Sequence, residues 1–270
     1  MDLLILSEEN DIEEKFEPYF DKVEERKLSR ARLNVSQGED VTVDDMNVED
    51  FDCLFVLPEV DAVIYLRSML EMIEKNISTN LNSLSLYMMI KKQYLYKVLN
   101  EKSINIPKTV AVGSEKSAKG IEGLDYPAVG RKYVGFEKKD MNLLENQEEM
   151  INFAGSIEYG KESAIIQELA YGEVFDCLVI GDEVISLKLS DEGDWDLQAG
   201  ECTEKYHKAP SDIKELVRET GKSVGMKVCR VKVVGGKVVN VHPIPQLERF
   251  KEISGKDTYK KVAELLKGEE

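Results

Sequence analysis

Residues 228–247 read VCRVKVVGGKVVNVHPIPQL, and the parsing of this stretch decides the fold. Val228, Val231, Val233 and Val234 precede Gly235-Gly236, and Val238, Val239 and Val241 follow it. β-Branched runs on either side of two glycines predict a two-residue β-hairpin, because such turns need φ > 0 at their central residues. His242-Pro243-Ile244-Pro245 cannot extend a central strand, since proline lacks the backbone donor. The second strand therefore delivers Asn240 and His242 to its end, where a site can lie.

Working outward, residues 174–180 and 183–189 form a second predicted hairpin, turned by Gly181-Asp182. Helical spacing of Ile213, Leu216, Val217 and Val224 predicts a helix over 211–224, and Val262, Leu265 and Leu266 predict another over 258–267. Upstream, 164–170 (AIIQELA) reads as a strand, and Asn146 with Glu149 as the capping box of a helix through Phe153. Leu86, Ile90, Tyr94, Val98 and Leu99 predict one long helix over 83–102, leading into Ile104 to Thr109. Near the start, Leu3 to Leu6 and Phe51 to Leu57 are apolar strands, with short strands at 32–35 and 41–43. Helices are predicted at 7–16 and 60–75. Strand alternating with helix argues for a small, mostly parallel α/β domain.

The 270 residues hold 52 Asp and Glu against 36 Lys and Arg, a net charge of −16. That charge excludes non-specific nucleic-acid binding, which needs a cationic footprint, and suits a soluble surface. Cys53, Cys177, Cys202 and Cys229 are scattered without a CxxC pair, so they read as reduced thiols and not as a disulfide or zinc framework. No signal pattern opens the sequence and no apolar run approaches membrane length, which predicts a cytoplasmic protein without a membrane partner. His207 and His242 are two ligands without a third, which rarely suffices for a metal.

The hairpin, its following proline and the stretch LERFKEISGKDTYKKVAELLKG (247–268) resemble the C-terminal core of the ATP-grasp ligases, most closely the RimK-type glutamate ligases. The likeness lies in the order and spacing of elements over nearly the whole chain. It implies an α/β plus α+β architecture: an N-terminal α/β (pre-ATP-grasp) domain at 1–76, then ATP-grasp lobes at 77–170 and 171–270 that close around a cleft. It also implies ATP or another adenine nucleotide as ligand. Lys92, fifteen residues before Pro107, takes the place of a phosphate-binding lysine, and Arg131 takes a second, with Lys132 beside it. Glu168, Leu169 and Ala170 match the hinge whose backbone reads the adenine edge, and Glu173 would reach the ribose. Without the resemblance, Lys91 and Lys92 read as solvated helix residues and 164–170 as an ordinary buried strand.

The chemical positions of the family depart from its pattern. Its three metal-ligand positions fall on Lys232, Asn240 and His242, so Mg2+ binding is doubtful there. Of the glycine loop only Gly135 is kept, with Lys138 and Asp140 at the other glycine positions. Family arginines fall on Asp176 and Asp196, and an asparagine on Gln198, leaving Lys188 as the only charge at the end of its strand. Glu59 follows Pro58 where an arginine often holds an acidic substrate. Carboxylates at arginine positions predict a site that repels a triphosphate. One reading is a RimK-like protein with a degenerate metal and phosphate site, acting in nucleotide binding or regulation. The alternative is an active ATP-dependent carboxylate–amine (glutamate) ligase with shifted ligands such as Glu173, Asp191, Glu192 and Asp194. A third is a structural partner of an active paralogue. The sequence leaves open a small acidic or amine substrate, a protein partner and a homo-oligomer.

Overall fold

Strand β1 (Asp2–Leu6) is apolar at four successive positions because both of its faces are covered. Leu3 and Ile5 enter one hydrophobic core and Leu4 and Leu6 another. The computed structural model describes residues 1–8, 11–35, 40–59, 61–73, 77–134, 137–158, 162–190 and 203–269. In the N-terminal part β1 is followed by helix α1 (Glu13–Phe16), β2 (Lys22–Arg26), β3 (Ala31–Asn34), β4 (Asp40–Val43), β5 (Met46–Asn47), β6 (Cys53–Val56), α2 (Val63–Ile73) and β7 (Ser78–Thr79). The order β2-β1-β6-β7 makes a parallel sheet, and β3-β4-β5 a separate antiparallel meander.

The helix expected from residue 7 begins only at Glu13. The Glu25 carboxylate of β2 accepts from the backbone N–H groups of Asp11, Ile12 and Glu13 at 3.1–3.2 Å, which satisfies the start of α1 from outside and fixes where it begins. A 3-10 turn at Glu17–Tyr19, with Pro18 in it, carries the chain on.

The expected single helix over 83–102 is two helices, α3 (Ser83–Ile90) and α4 (Lys92–Glu101), broken at Lys91 with φ −115° and ψ 71°. Neither Gly nor Pro causes the break. α3 packs on α2, whereas α4 packs on the C-terminal helix at 211–224 and on the central sheet, so two apolar stripes need two axes. The central sheet comprises β8 (Thr109–Val112), β9 (Ala128–Val134), β10 (Glu137–Leu144) and β11 (Ser163–Glu168), with helices α5 (Glu115–Ala118) and α6 (Gln147–Gly155) between strands. Its order is β10-β9-β11-β8, all antiparallel. Lys138 and Asp140, expected in a phosphate loop, lie in strand β10, while Gly135 lies outside the described residues. Asn146 caps α6 as expected, accepting from Glu149 N–H at 3.0 Å, but the Glu149 carboxylate answers Glu145 N–H instead of closing a reciprocal box.

The C-terminal part is β12 (Val174–Ile180), β13 (Glu183–Ser190), β14 (Thr203–Tyr206), α7 (Ser211–Val224), β15 (Val228–Val234), β16 (Lys237–His242), α8 (Leu247–Ser254) and α9 (Thr258–Lys267). Its sheet runs β14-β13-β12-β15-β16, antiparallel throughout. One core joins the N-terminal sheet, α3 and α4 to α7 and one face of this sheet; a second joins its other face to α8, α9 and α1. The central sheet has a third core with α5 and α6, where Gly130 is required because a Cβ there would meet the Phe153 ring at 2.7–2.9 Å. Cys53, Cys177 and Cys229 are buried thiols whose pKa values burial raises. Cys202 is outside the described residues. Among the described residues no helix is long and apolar enough to cross a membrane.

Both hairpins form where the sequence places them. Gly235 and Gly236 have φ of 54° and 76°, the double positive-φ geometry of a type I′ turn. They are unequal in surroundings: a Cβ on Gly235 would overlap the Tyr171 carbonyl oxygen, whereas one on Gly236 would meet nothing within 4 Å. Gly236→Ala should therefore cost about 1 kcal/mol, the left-handed penalty alone, and Gly235→Ala at least about twice that. Urea denaturation of both variants checks this; equal shifts would contradict it.

Candidate functional site

Helix α4 packs on the central sheet and bonds the edge of the C-terminal sheet, and its buried residues are Leu95 and Leu99 in the core with Lys92 and Tyr96 among them. Lys92 is fully buried, and its ammonium donates to the Val241 carbonyl at 3.0 Å. The Tyr96 hydroxyl donates to the Val239 carbonyl at 2.9 Å. Beyond the helix, Asn105 accepts from Val238 N–H at 2.8 Å and donates to the Gly236 carbonyl at 2.8 Å. Alternate main-chain groups along the outer edge of β16 are thus tied to α4 and its following loop, so the exposed edge of a sheet is closed. The solvated reading of Lys92 is overturned. Burial, and next the Arg131 guanidinium, push its pKa down to about 7.

Arg131 and Lys132 are neighbours in β9 and therefore face opposite ways. Arg131 shares its face with Tyr133, whose ring lies 5.3 Å from the Lys92 ammonium. It is only 4% exposed and donates to the Gln167 side-chain oxygen, and Gln167 in turn donates to the Thr109 hydroxyl at 2.9 Å. The Nε of Arg131 is buried without a hydrogen-bond partner among the described residues. Lys132 turns to the outer face, over the Phe153 ring and 3.4 Å from the Ser156 carbonyl, so the structure does not bring it to Lys92.

The residues expected to form the hinge lie at the end of β11 and just beyond it. Glu168 N–H donates to the Lys108 carbonyl at 3.0 Å and Leu169 N–H to the Pro127 carbonyl at 3.2 Å, with Ala170 beside them half-buried. The Glu168 carboxylate accepts from Asp125 N–H at 3.3 Å. Glu173 is exposed and paired with Lys188, whose hydrogen bond holds its carboxyl below the usual range.

On the C-terminal sheet, Asp176, Lys232 and Asn240 lie side by side across β12, β15 and β16, and Arg230 stands opposite His242. The expected repulsion from Asp176 does not arise as drawn. Its carboxylate is bound by Arg249 of α8 at 2.7 Å and approached by Arg230 at 3.6 Å. Arg249 also grips Glu204 in a bidentate fork at 2.9 and 2.5 Å. Gln246, in a left-handed conformation at φ 53° before α8, turns its side-chain oxygen to both guanidinium groups. The sequence reading missed Arg230, Arg249, Glu204 and Gln246. Arg230 was legible in principle, two residues before Lys232 and hence on the same face of the strand. Asp191, Glu192, Asp194, Asp196 and Gln198 lie outside the described residues.

Mg2+ takes oxygen ligands, usually one or two carboxylates with phosphate and water. Lys232 offers an ammonium. His242 offers an imidazole whose Nδ1 accepts from Ile244 N–H at 3.1 Å, and whose pKa burial, with Arg230 and Lys92 adding to it, pushes down to about 3. Asn240 supplies the one oxygen, buried and without a hydrogen-bond partner among the described residues, and it alone would welcome a cation. No group of three His, Cys, Asp or Glu among the described residues is placed to hold a metal ion. The donor set fits an oxyanion better than a divalent cation.

No family model and no curated protein matches this sequence. Solved structures match over almost its full length. The ATP-grasp ligase PsnB, complexed with precursor peptide PsnA2 and AMPPNP, superposes with a TM-score of 0.73 at 11% identity, over 98% of this chain and 97% of that one. The RimK-domain ATP-grasp protein of Sphaerobacter thermophilus gives 0.70 at 15% identity, over 98% and 99%. The macrocyclase MdnC of Microcystis aeruginosa, bound with precursor peptide MdnA, gives 0.69 at 11% identity, over 99% and 100%. With its parallel N-terminal sheet and two antiparallel sheets joined through α4, the chain has the ATP-grasp fold, in the form shared with RimK-like ligases.

Proposed function

We propose that this chain binds an adenine nucleotide between the central and C-terminal sheets and does not turn it over, as a nucleotide-binding or regulatory homologue of the ATP-grasp ligases. One observation carries the reading: Lys92 and Arg131, both buried and close enough to depress the Lys92 pKa, are paired with no carboxylate among the described residues. Buried cations without counter-ions are costly, and a phosphate would supply the missing charge. PsnB, of the same fold, was solved with AMPPNP. The adenine edge would use Ala170 N–H and the hinge carbonyls, since the N–H groups of Glu168 and Leu169 are already bonded. The active-ligase reading is weaker because Glu173, one of its shifted ligands, is paired with Lys188.

Isothermal titration with ATP, ADP and AMP should give saturable binding, while ADP release from ATP with glutamate as acceptor stays at background. Turnover above background would contradict the non-catalytic reading, and no binding of any adenine nucleotide would contradict the nucleotide reading.

The Lys92 titration sets a pH dependence. Its folded pKa is lowered to about 7, so the amine is charged below that value and neutral above it until a bound anion restores the proton. Nucleotide affinity should be greatest near pH 6 and about tenfold weaker at pH 8. Lys92→Arg, charged at every pH, should remove that difference while leaving the ligand's own titration in place. An unchanged slope in Lys92→Arg would contradict this assignment.

A further inference from the structure

We infer that this site takes its phosphate-type anion without a divalent metal, and that Mg2+ opposes binding instead of assisting it. The inference deepens the nucleotide reading above and rests on it. Charges meet here from two directions. Lys92 and Arg131 stand on one side. Arg230, Lys232 and Arg249 stand on the other, along the sheet that carries Asn240 and His242. His242 is the link, because Arg230 and Lys92 both act on it and help to keep it neutral. Lys232 makes an interaction of its own and is left out of the balance; Lys92, Arg131, Arg230 and Arg249 then stand against Asp176 and Glu204, the described carboxylates bound into the group, an excess of two positive charges when Lys92 is protonated.

Two guanidinium groups, each bound to a glutamine oxygen through one nitrogen, also carry a second, buried N–H that lacks an acceptor. The Nε of Arg131 on the central sheet and the Nε of Arg230 on the C-terminal sheet have no hydrogen-bond partner among the described residues. Buried donors of this kind are rare, and an oxyanion is a group that would accept from both. Arg230 is held in place by the Gln246 side-chain oxygen and the Asp176 carboxylate, so its position is built and not incidental. A magnesium ion carried in on a polyphosphate would cancel two of the ligand's negative charges. It would also stand against an ammonium and largely buried guanidinium groups, and the neutral Asn240 oxygen would be its only protein ligand among the three positions.

The test titrates the full chain with inorganic tripolyphosphate, ATP and AMP by calorimetry, each in EDTA and in excess Mg2+, with ionic strength matched by KCl. Tripolyphosphate and ATP should bind in EDTA and weaken at least about fivefold in Mg2+ at matched screening. AMP, which chelates magnesium far more weakly, should change less than about twofold. Arg230→Gln should weaken tripolyphosphate and flatten the magnesium effect, and Arg230→Lys should retain both, which separates charge from folding damage. Tighter binding of ATP in Mg2+ would overturn the inference while leaving the nucleotide reading standing. Magnesium-sensitive tripolyphosphate binding with no adenine nucleotide bound would support the anion site and sink the nucleotide reading. Absence of binding by all three ligands would overturn both.

Discussion

The Lys92 ammonium, buried against the Val241 carbonyl, is the contact on which the rest of the structure turns. A lysine taken wholly out of water and depressed from 10.5 to about 7 costs on the order of 5 kcal/mol when charged. The packing around it offsets that cost. The helix breaks at Lys91, α4 sets Lys92 and Tyr96 against β16, and these two with Asn105 close a sheet edge that would otherwise offer unpaired carbonyls. The same arrangement sets Lys92 beside Arg131, so the architecture that seals one sheet also concentrates positive charge between two sheets.

The charge of the whole chain and the charge of its interior point in opposite directions. A net charge of −16 describes the surface, where most carboxylates lie. Lys92 and Arg131 are buried cations bound to no carboxylate among the described residues. Bulk charge governs solubility and long-range association, whereas binding at a buried site follows the few groups that water does not screen. Asp176 illustrates the difference. In the sequence it is a carboxylate at an arginine position; in the fold it is an anchor for Arg249 and Arg230. Those arginines come from α8 and β15, so positive charge returns to the region from other elements.

Much of the fold was legible because its signals are local. Gly235-Gly236 between valine runs, Gly181-Asp182 between two others, and the apolar period of residues 211–224 and 258–267 each gave an element where one stands. The misses are tertiary. The late start of α1 depends on Glu25 from another strand, and the break at Lys91 depends on two packing partners for one helical pattern. Lys132 was grouped with Arg131 by adjacency, yet strand alternation sends it to the other face. Of the candidate site, Lys92 and Arg131 were marked by spacing, but their burial could not be read, since a lysine after Lys91 on a helix looks solvated. Arg249, Glu204 and Gln246 carry no one-dimensional sign, because Arg249 meets Asp176 and Glu204 only through the fold of α8 onto the sheet, and Gln246 meets Arg249 there.

The Lys92 amine can be observed directly. Carbon-13 NMR of ε-labelled lysine, with Lys92→Arg assigning the resonance, gives its titration midpoint in the unliganded protein and with tripolyphosphate in EDTA. The expected result is a midpoint near 7 without ligand, far below the 10.5 of an ordinary lysine, and a clear upward move when the anion binds. A midpoint near 10.5 in both states would show a hydrated amine and would contradict the buried cation from which the site is built.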